Sequence, residues 1–236
     1  MIPIRADNPT DRLPWITLAL IAMNISVFLY ELSLSAEELS HTVAKWGFVP
    51  ASTMAVGDPS VIVTLLLTAM TSMFLHAGWI HLGGNMLYLW VFGNNIEDRL
   101  GPVRFILFYL GAGIVAVAAQ TIADRMSEIP LIGASGAVAG VLGAYVILYP
   151  RAKIITIVPV LFVLEMAAIP ASFVIGFWFL LQIASGLGSL ASTTPGGGVA
   201  WFAHIGGFAA GAAAMLPLAA MDRWHGRRNG RFVTWR

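Results

Sequence analysis

GASGAVAGVLGAYVILYP, residues 133–150, contains no charged side chain and ends at Pro150-Arg151. It reads as a membrane helix over about Ser135–Tyr149, opened by the small-residue turn Gly133-Ala134-Ser135-Gly136. A serine at a helix start is often only a cap for the first-turn amides. Flanked by glycines at the mouth of an apolar helix, Ser135 is a poor packing residue. It is better suited to a reaction that needs its Oγ exposed and its backbone N–H free.

The rest of the chain has the same solvent. Of 236 residues, 58% are hydrophobic and 11% are charged, with mean hydropathy +0.81. Soluble domains carry about 25% charged residues. Here the charge is confined to short segments between apolar runs, as in a polytopic membrane protein. A formal net charge of +1 gives no footprint for a nucleic-acid partner, and the absence of cysteine excludes disulfides, thiol nucleophiles and thiolate metal sites.

Six spans are predicted. The first runs from Trp15 to Tyr30, and the apolar segments that follow distinguish it from a signal peptide. A mixed connection, 31–60, leads into Val61–Leu75, read as a loop element in the outer interface. The second span covers about Gly78–Gly93, before Asn94-Asn95-Ile96-Glu97-Asp98-Arg99, and the third about Phe105–Ile122. After the fourth, residues 153–188 are too long for one helix. Pro159, Glu165 and Pro170 make 153–169 an interfacial excursion and leave the fifth span at about 170–187. A Gly/Ser/Thr/Pro loop, Ser185–Gly198, precedes the sixth, about Val199–Ala220. The expected organisation is an N-terminal segment 1–14, a membrane domain 15–220 and a basic tail 221–236.

Positive charge orients the bundle. With six spans, Arg5, Arg12, Arg99, Arg104, Arg151, Lys153, Arg223, Arg227, Arg228, Arg231 and Arg236 lie on the side of the termini. They are 11 of the 13 Lys and Arg residues, leaving only Lys45 and Arg125 outside. Such asymmetry marks the cytoplasmic side, so both termini are expected in the cytoplasm of a bacterial-type plasma membrane.

Spans two, four and six then run from outside to inside. His81 and Asn85 lie near the start of span two, and Ser135 opens span four. His204 is about five residues into span six, roughly 8 Å at 1.5 Å per residue. All four therefore share the outer part of the bilayer. His81 and Asn85, at i and i+4, share one face continued by Tyr88 and Phe92. Small residues at Gly136, Gly140 and Ala144 and at Ala203, Gly207 and Gly211 allow close approach of spans four and six, bringing Ser135 toward His204. His76, about 140° from His81 on a helical wheel, is expected to face elsewhere and serve as a structural hydrogen-bonding residue. A His76/His81/His204 metal site lacks a neighbouring carboxylate or thiol, and His-Glu-x-x-His is absent; no metal or other cofactor is expected.

His76-x4-His81-x3-Asn85, Gly133-Ala134-Ser135-Gly136 and Ala203-His204-x2-Gly207 together resemble the signature of the rhomboid intramembrane serine proteases, in order, across spans two, four and six. The likeness covers about residues 10–220. It implies an all-α, six-transmembrane-helix rhomboid bundle with Ser135 as nucleophile and His204 as general base. His81, Asn85 and the Ser135 N–H match the family's oxyanion-stabilising positions, with Gly133, Gly136, Gly207 and His76 in support. It also implies that the substrates are transmembrane segments of other proteins entering from the lipid, with a gate around Phe177-Trp178. Two positions depart from the family's usual pattern. Ala139 stands where an aromatic commonly packs on the histidine, and the first outer loop has no Trp-Arg pair.

Chemistry supports that expectation. A serine hydroxyl needs a base to take its proton, and burial favours the neutral imidazole that can do so. Spans three, four and six contain no Asp or Glu, which predicts a Ser–His dyad relying on its oxyanion donors. Two rivals are a non-catalytic rhomboid-like protein that binds transmembrane helices and a small transporter. The first would lack the serine or the histidine. The second would line a path across the bilayer with polar groups, whereas here they gather at one depth.

Overall fold

The computed structural model describes residues 1–55, 59–160, 163–191 and 200–228. In chain order these form β1 (Ile2–Ala6), α1 (Trp15–Ser33), α2 (Ala36–Trp46), a 3-10 turn (Pro50–Ala55), α3 (Pro59–Thr71), a second 3-10 turn (Ser72–Phe74), α4 (Trp79–Leu100), α5 (Pro102–Ala123), α6 (Ser135–Leu148), β2 (Lys153–Val160), β3 (Val163–Pro170), α7 (Ala171–Ala191) and α8 (Trp201–Arg228).

The apolar run at residue 135 becomes the central helix. Eleven of the 14 residues of α6 are buried, with α8, α5 and α4 packed around it. Closest approach comes from interleaved glycines. A Cβ added at Gly207 would collide with the Gly136 carbonyl oxygen, and one at Gly211 with that of Gly140. On the other flank Ala116 and Ala112 of α5 sit against Gly136 and Gly140. Without side chains between them, the helix backbones meet directly and gain dispersion contacts that lipid cannot supply.

Among the described residues four helices, α1, α5, α7 and α8, are long and apolar enough to cross a membrane, and the pair α3 and α4, bent by 91°, adds a fifth if it counts as one span. α6 is apolar but its 14 residues span only about 21 Å, less than the ~30 Å of hydrocarbon. Enclosed by protein, it needs no lipid-length exterior. α4 runs past the expected end near Gly93 through Asn94–Arg99 because its last turns have structural partners. The Glu97 carboxylate accepts from the Ile16 N–H (2.9 Å), the Thr17 N–H (2.7 Å) and the Thr17 hydroxyl (2.8 Å). It thereby satisfies amides that α1's first turn leaves open. Asp98 receives the Asp11 and Arg12 N–H groups.

Four expectations change. The chain is mostly helical rather than all-α, because β1, β2 and β3 form an antiparallel sheet in that order. Ile2 pairs with Ile157 and Lys153 with Pro170. The supposed excursion 153–169 is thus a hairpin, as its β-branched run Ile154-Ile155-Thr156-Ile157-Val158 favours. Pro159 lies beyond the reach of β1, where its missing N–H removes no ladder bond. Residues 61–75 are helix α3 and a 3-10 turn rather than a loop. Ser185–Ala191 continue α7, so the loop placed at Ser185–Gly198 begins later; residues 192–199 lie outside the described part, as do 229–236 of the expected tail.

Candidate active site

Five hydrogen bonds hold the segments that bring the polar residues to one end of the bundle. The segment before α6 is tied down by paired bonds between Phe48 and Leu131 (N–H to O, 3.1 and 2.7 Å) and by Gly133 N–H to Ser72 O (2.8 Å). Gly133 has φ +118°, a conformation open to glycine and costly for other residues. It turns the chain so that Ser135 begins α6, leaving the Ser135 N–H among the first-turn donors without an intrahelical acceptor. α8 is seated from α5, where Gln120 Oε1 accepts from the N–H groups of Phe202 (3.1 Å) and Ala203 (3.2 Å). His204 follows immediately.

Ser135 Oγ and His204 Nε2 are 2.7 Å apart, with the serine half-buried and the histidine buried. The glycine contacts between α6 and α8 set this distance, since the pair sits at the N-terminal end of that seam. A hydroxyl in such a bond can pass its proton to the ring nitrogen and attack an electrophilic carbon. The other ring nitrogen, Nδ1, lies 2.7 Å from Gln182 Oε1 of α7. Trp178, one turn earlier on α7, covers the imidazole with ring centroids 5.9 Å apart, and Trp201 meets it edge-on at 6.2 Å.

α4 supplies the opposite wall. His81 Nδ1 accepts a long bond from the Ala77 N–H (3.5 Å), and its Cε1–Nε2 edge lies directly over Gly133. Asn85 is buried, and its Nδ2 is 3.0 Å from His76 Nε2. The His76 ring stacks edgewise on His81 with centroids 5.0 Å apart. His76 therefore joins the site rather than facing elsewhere. The 140° rotation assumed one continuous helix, whereas the chain breaks between α3 and α4 and His76 precedes α4's first turn. A carboxylate is also nearer than expected: Glu31 at the end of α1 accepts the His76 N–H (3.1 Å).

Ser135, His204, His81, Asn85, Gln120 and Trp178 line a shared cavity of about 900 Å3. Gly133 packs against His81 and Ser135 at its edge, and Gly136 and Gly207 lie in the α6–α8 seam. Phe177 points outward while Trp178 is turned toward His204 and Phe208, so the two residues named together as a gate face different ways. Gln182, Gln120 and Glu31 escaped sequence reasoning. A lone amide within the apolar run Phe177–Ile183 was the available signal for Gln182, because an unpartnered amide in such a run is costly.

Comparison with known proteins adds lineage to geometry. Residues 63–220 match the rhomboid domain. The chain is 36% identical over 100 residues to Rhomboid protein 1, mitochondrial, of Saccharomyces cerevisiae, covering 41% of this chain and 29% of that protein. Over 132 residues it is 35% identical to the Rhomboid protease GluP of Bacillus subtilis, covering 56% and 24% respectively. Presenilin-associated rhomboid-like protein A, mitochondrial, of Danio rerio is 34% identical over 103 residues, 42% of this chain and 26% of the relative. The matched region spans no more than about three-tenths of the length of these three curated relatives.

Proposed function

The chain belongs to the rhomboid family of multi-pass integral membrane proteins, and from that premise we propose that it is an intramembrane serine endopeptidase that cuts transmembrane segments of other proteins. The observation that carries the reading is the 2.7 Å contact between Ser135 Oγ and His204 Nε2 in a cavity of about 900 Å3. Ser135 is the nucleophile and His204 the general base of a Ser–His dyad. α4 and α6 count with the longer helices as spans, making six around residues 15–220, with both termini in the cytoplasm and the site near the outer face. The charge distribution supports that orientation and a bacterial-type plasma membrane.

Oγ attacks the scissile carbonyl carbon while its proton passes to His204 Nε2. The carbonyl π pair moves onto oxygen, and the oxyanion accepts hydrogen bonds from the Ser135 N–H, Asn85 and His81. Collapse expels the amine, which takes the proton from His204, and leaves an acyl-serine. Water then attacks that ester, again giving its proton to His204, and the released Ser135 oxygen recovers it. Each oxyanion donor contributes on the order of 100- to 1,000-fold.

The decisive experiment is labelling of the detergent-purified full chain with a fluorophosphonate, beside Ser135→Ala and His204→Ala. Labelling should occur in the parent and vanish in both variants. A folded parent that takes no label, or a labelled Ser135→Ala, would refute the assignment; the former result would favour a helix-binding, non-catalytic relative.

A further inference from the structure

The His204 ring makes two hydrogen bonds of equal length, and their partners are not equivalent. Ser135 Oγ, 2.7 Å from Nε2, carries a hydroxyl that can donate or accept. Gln182 Oε1, 2.7 Å from Nδ1, can only accept. A neutral imidazole has one proton, so the Nδ1–Oε1 contact is a bond only when that proton is on Nδ1. This leaves the Nε2 lone pair facing the serine, the arrangement a general base requires.

Placement argues the same way. Gln182 is 7% exposed on a helix whose neighbouring positions, Phe177–Leu181 and Ile183, are apolar. Burying an amide there is unfavourable unless it is hydrogen-bonded. Trp178 lies four residues earlier, on the same face of α7, and packs on the imidazole. One helix thus fixes the ring twice, through a nitrogen and through a face, while the serine comes from another.

We infer that Gln182 is the positioning residue of the site, holding the Nδ1 proton of His204 so that Nε2 is free to take the proton of Ser135. The inference rests on Ser135 and His204 being the reactive pair. Gln182 occupies the place that an aspartate takes in a Ser–His–Asp triad, but without a charge. It selects the tautomer and orientation while leaving stabilisation of the imidazolium to the surroundings.

Two variants of equal chain length separate the acceptor from the packing. Gln182→Met fills the space without an oxygen, whereas Gln182→Glu restores one. In the detergent-purified full chain, Gln182→Met should unfold at about the parent's temperature yet label with fluorophosphonate on the order of 100-fold more slowly. Loss of tautomer control in a soluble triad costs up to about 10,000-fold. Gln182→Glu should label within about tenfold of the parent.

Parent-like labelling by Gln182→Met overturns the inference, as does equal loss in both variants with folding intact. If Gln182→Met does not fold, the ring nitrogens decide in the 15N-histidine-labelled parent, with the signal assigned by its loss in His204→Ala. A protonated Nδ1 supports the inference, and a protonated Nε2 refutes it. An unlabelled parent would instead defeat the protease reading, and the nitrogen spectrum would still report on the Gln182 contact.

Discussion

Replacing Gly133 by alanine tests the site's geometry through a residue that performs no chemistry. Two consequences can be worked from the structure. At φ +118° a side chain is strained whatever the space around it, at roughly 1–3 kcal/mol. The added Cβ would also lie 2.6 Å from both Cε1 and Nε2 of His81, where ordinary carbon contacts are about 3.5–4.0 Å. Because the obstacle is a side-chain ring, it can retreat by about 1 Å. The fold is then spared most of the collision and the site bears it. A misplacement of about 1 Å costs on the order of 100-fold in rate. The measurements are the fluorophosphonate labelling rate, cleavage of a single-span substrate in liposomes, and thermal unfolding. Gly83→Ala is the control, since a Cβ there meets nothing within 4 Å and should leave both activity and folding near the parent. Gly133→Ala that unfolds a few degrees early but labels at the parent's rate would show that the His81 edge has no part in the reaction.

Asn85→Ala should lower kcat by about 100- to 1,000-fold without abolishing cleavage. His76→Ala should lower it by up to roughly tenfold, since it removes one hydrogen bond to Asn85 worth about 0.5–1.5 kcal/mol; an unaffected kcat in Asn85→Ala would remove that amide from the oxyanion site. At the other end of the bundle, Glu97→Ala strips the acceptor from three donors on α1. It should destabilise the protein by at least about 3 kcal/mol in reversible detergent unfolding, with labelling per folded molecule unchanged. Glu97→Gln should recover part of the loss, and a Glu97→Ala protein as stable as the parent would contradict the cap.

Much of the site was legible because it follows from local periodicity. His81 and Asn85 share a face at i and i+4 wherever α4 goes. Small residues at 136, 140, 207 and 211 identify the seam that brings Ser135 against His204. The reading failed where local periodicity stops. A helical wheel through His76 and His81 treats α3 and α4 as one helix, and the 91° bend reverses the direction it gives His76. Pro159, Glu165 and Pro170 point to an interfacial stretch at 153–169, whereas the structure pairs it as a hairpin. Strand pairing with Ile2–Ala6 depends on a partner about 150 residues away, which no window of sequence contains.

By itself, the sequence determined the membrane environment, the order of the apolar segments, and the gathering of serine, two histidines and an asparagine at one end. These follow from composition and from the 3.6-residue repeat, which any chain carrying these residues must obey. Only the tertiary structure decided which groups complete the surroundings of those four. Gln182 on Nδ1 of His204, Trp178 over its ring, Gln120 beneath α8 and His76 beside Asn85 each come from a different element than the residue they hold. Their contacts depend on helix rotation and separation, set by the glycine seam and the bend before α4, and hydrogen bonds are sensitive to shifts of a few tenths of an ångström that residue spacing along one helix does not fix.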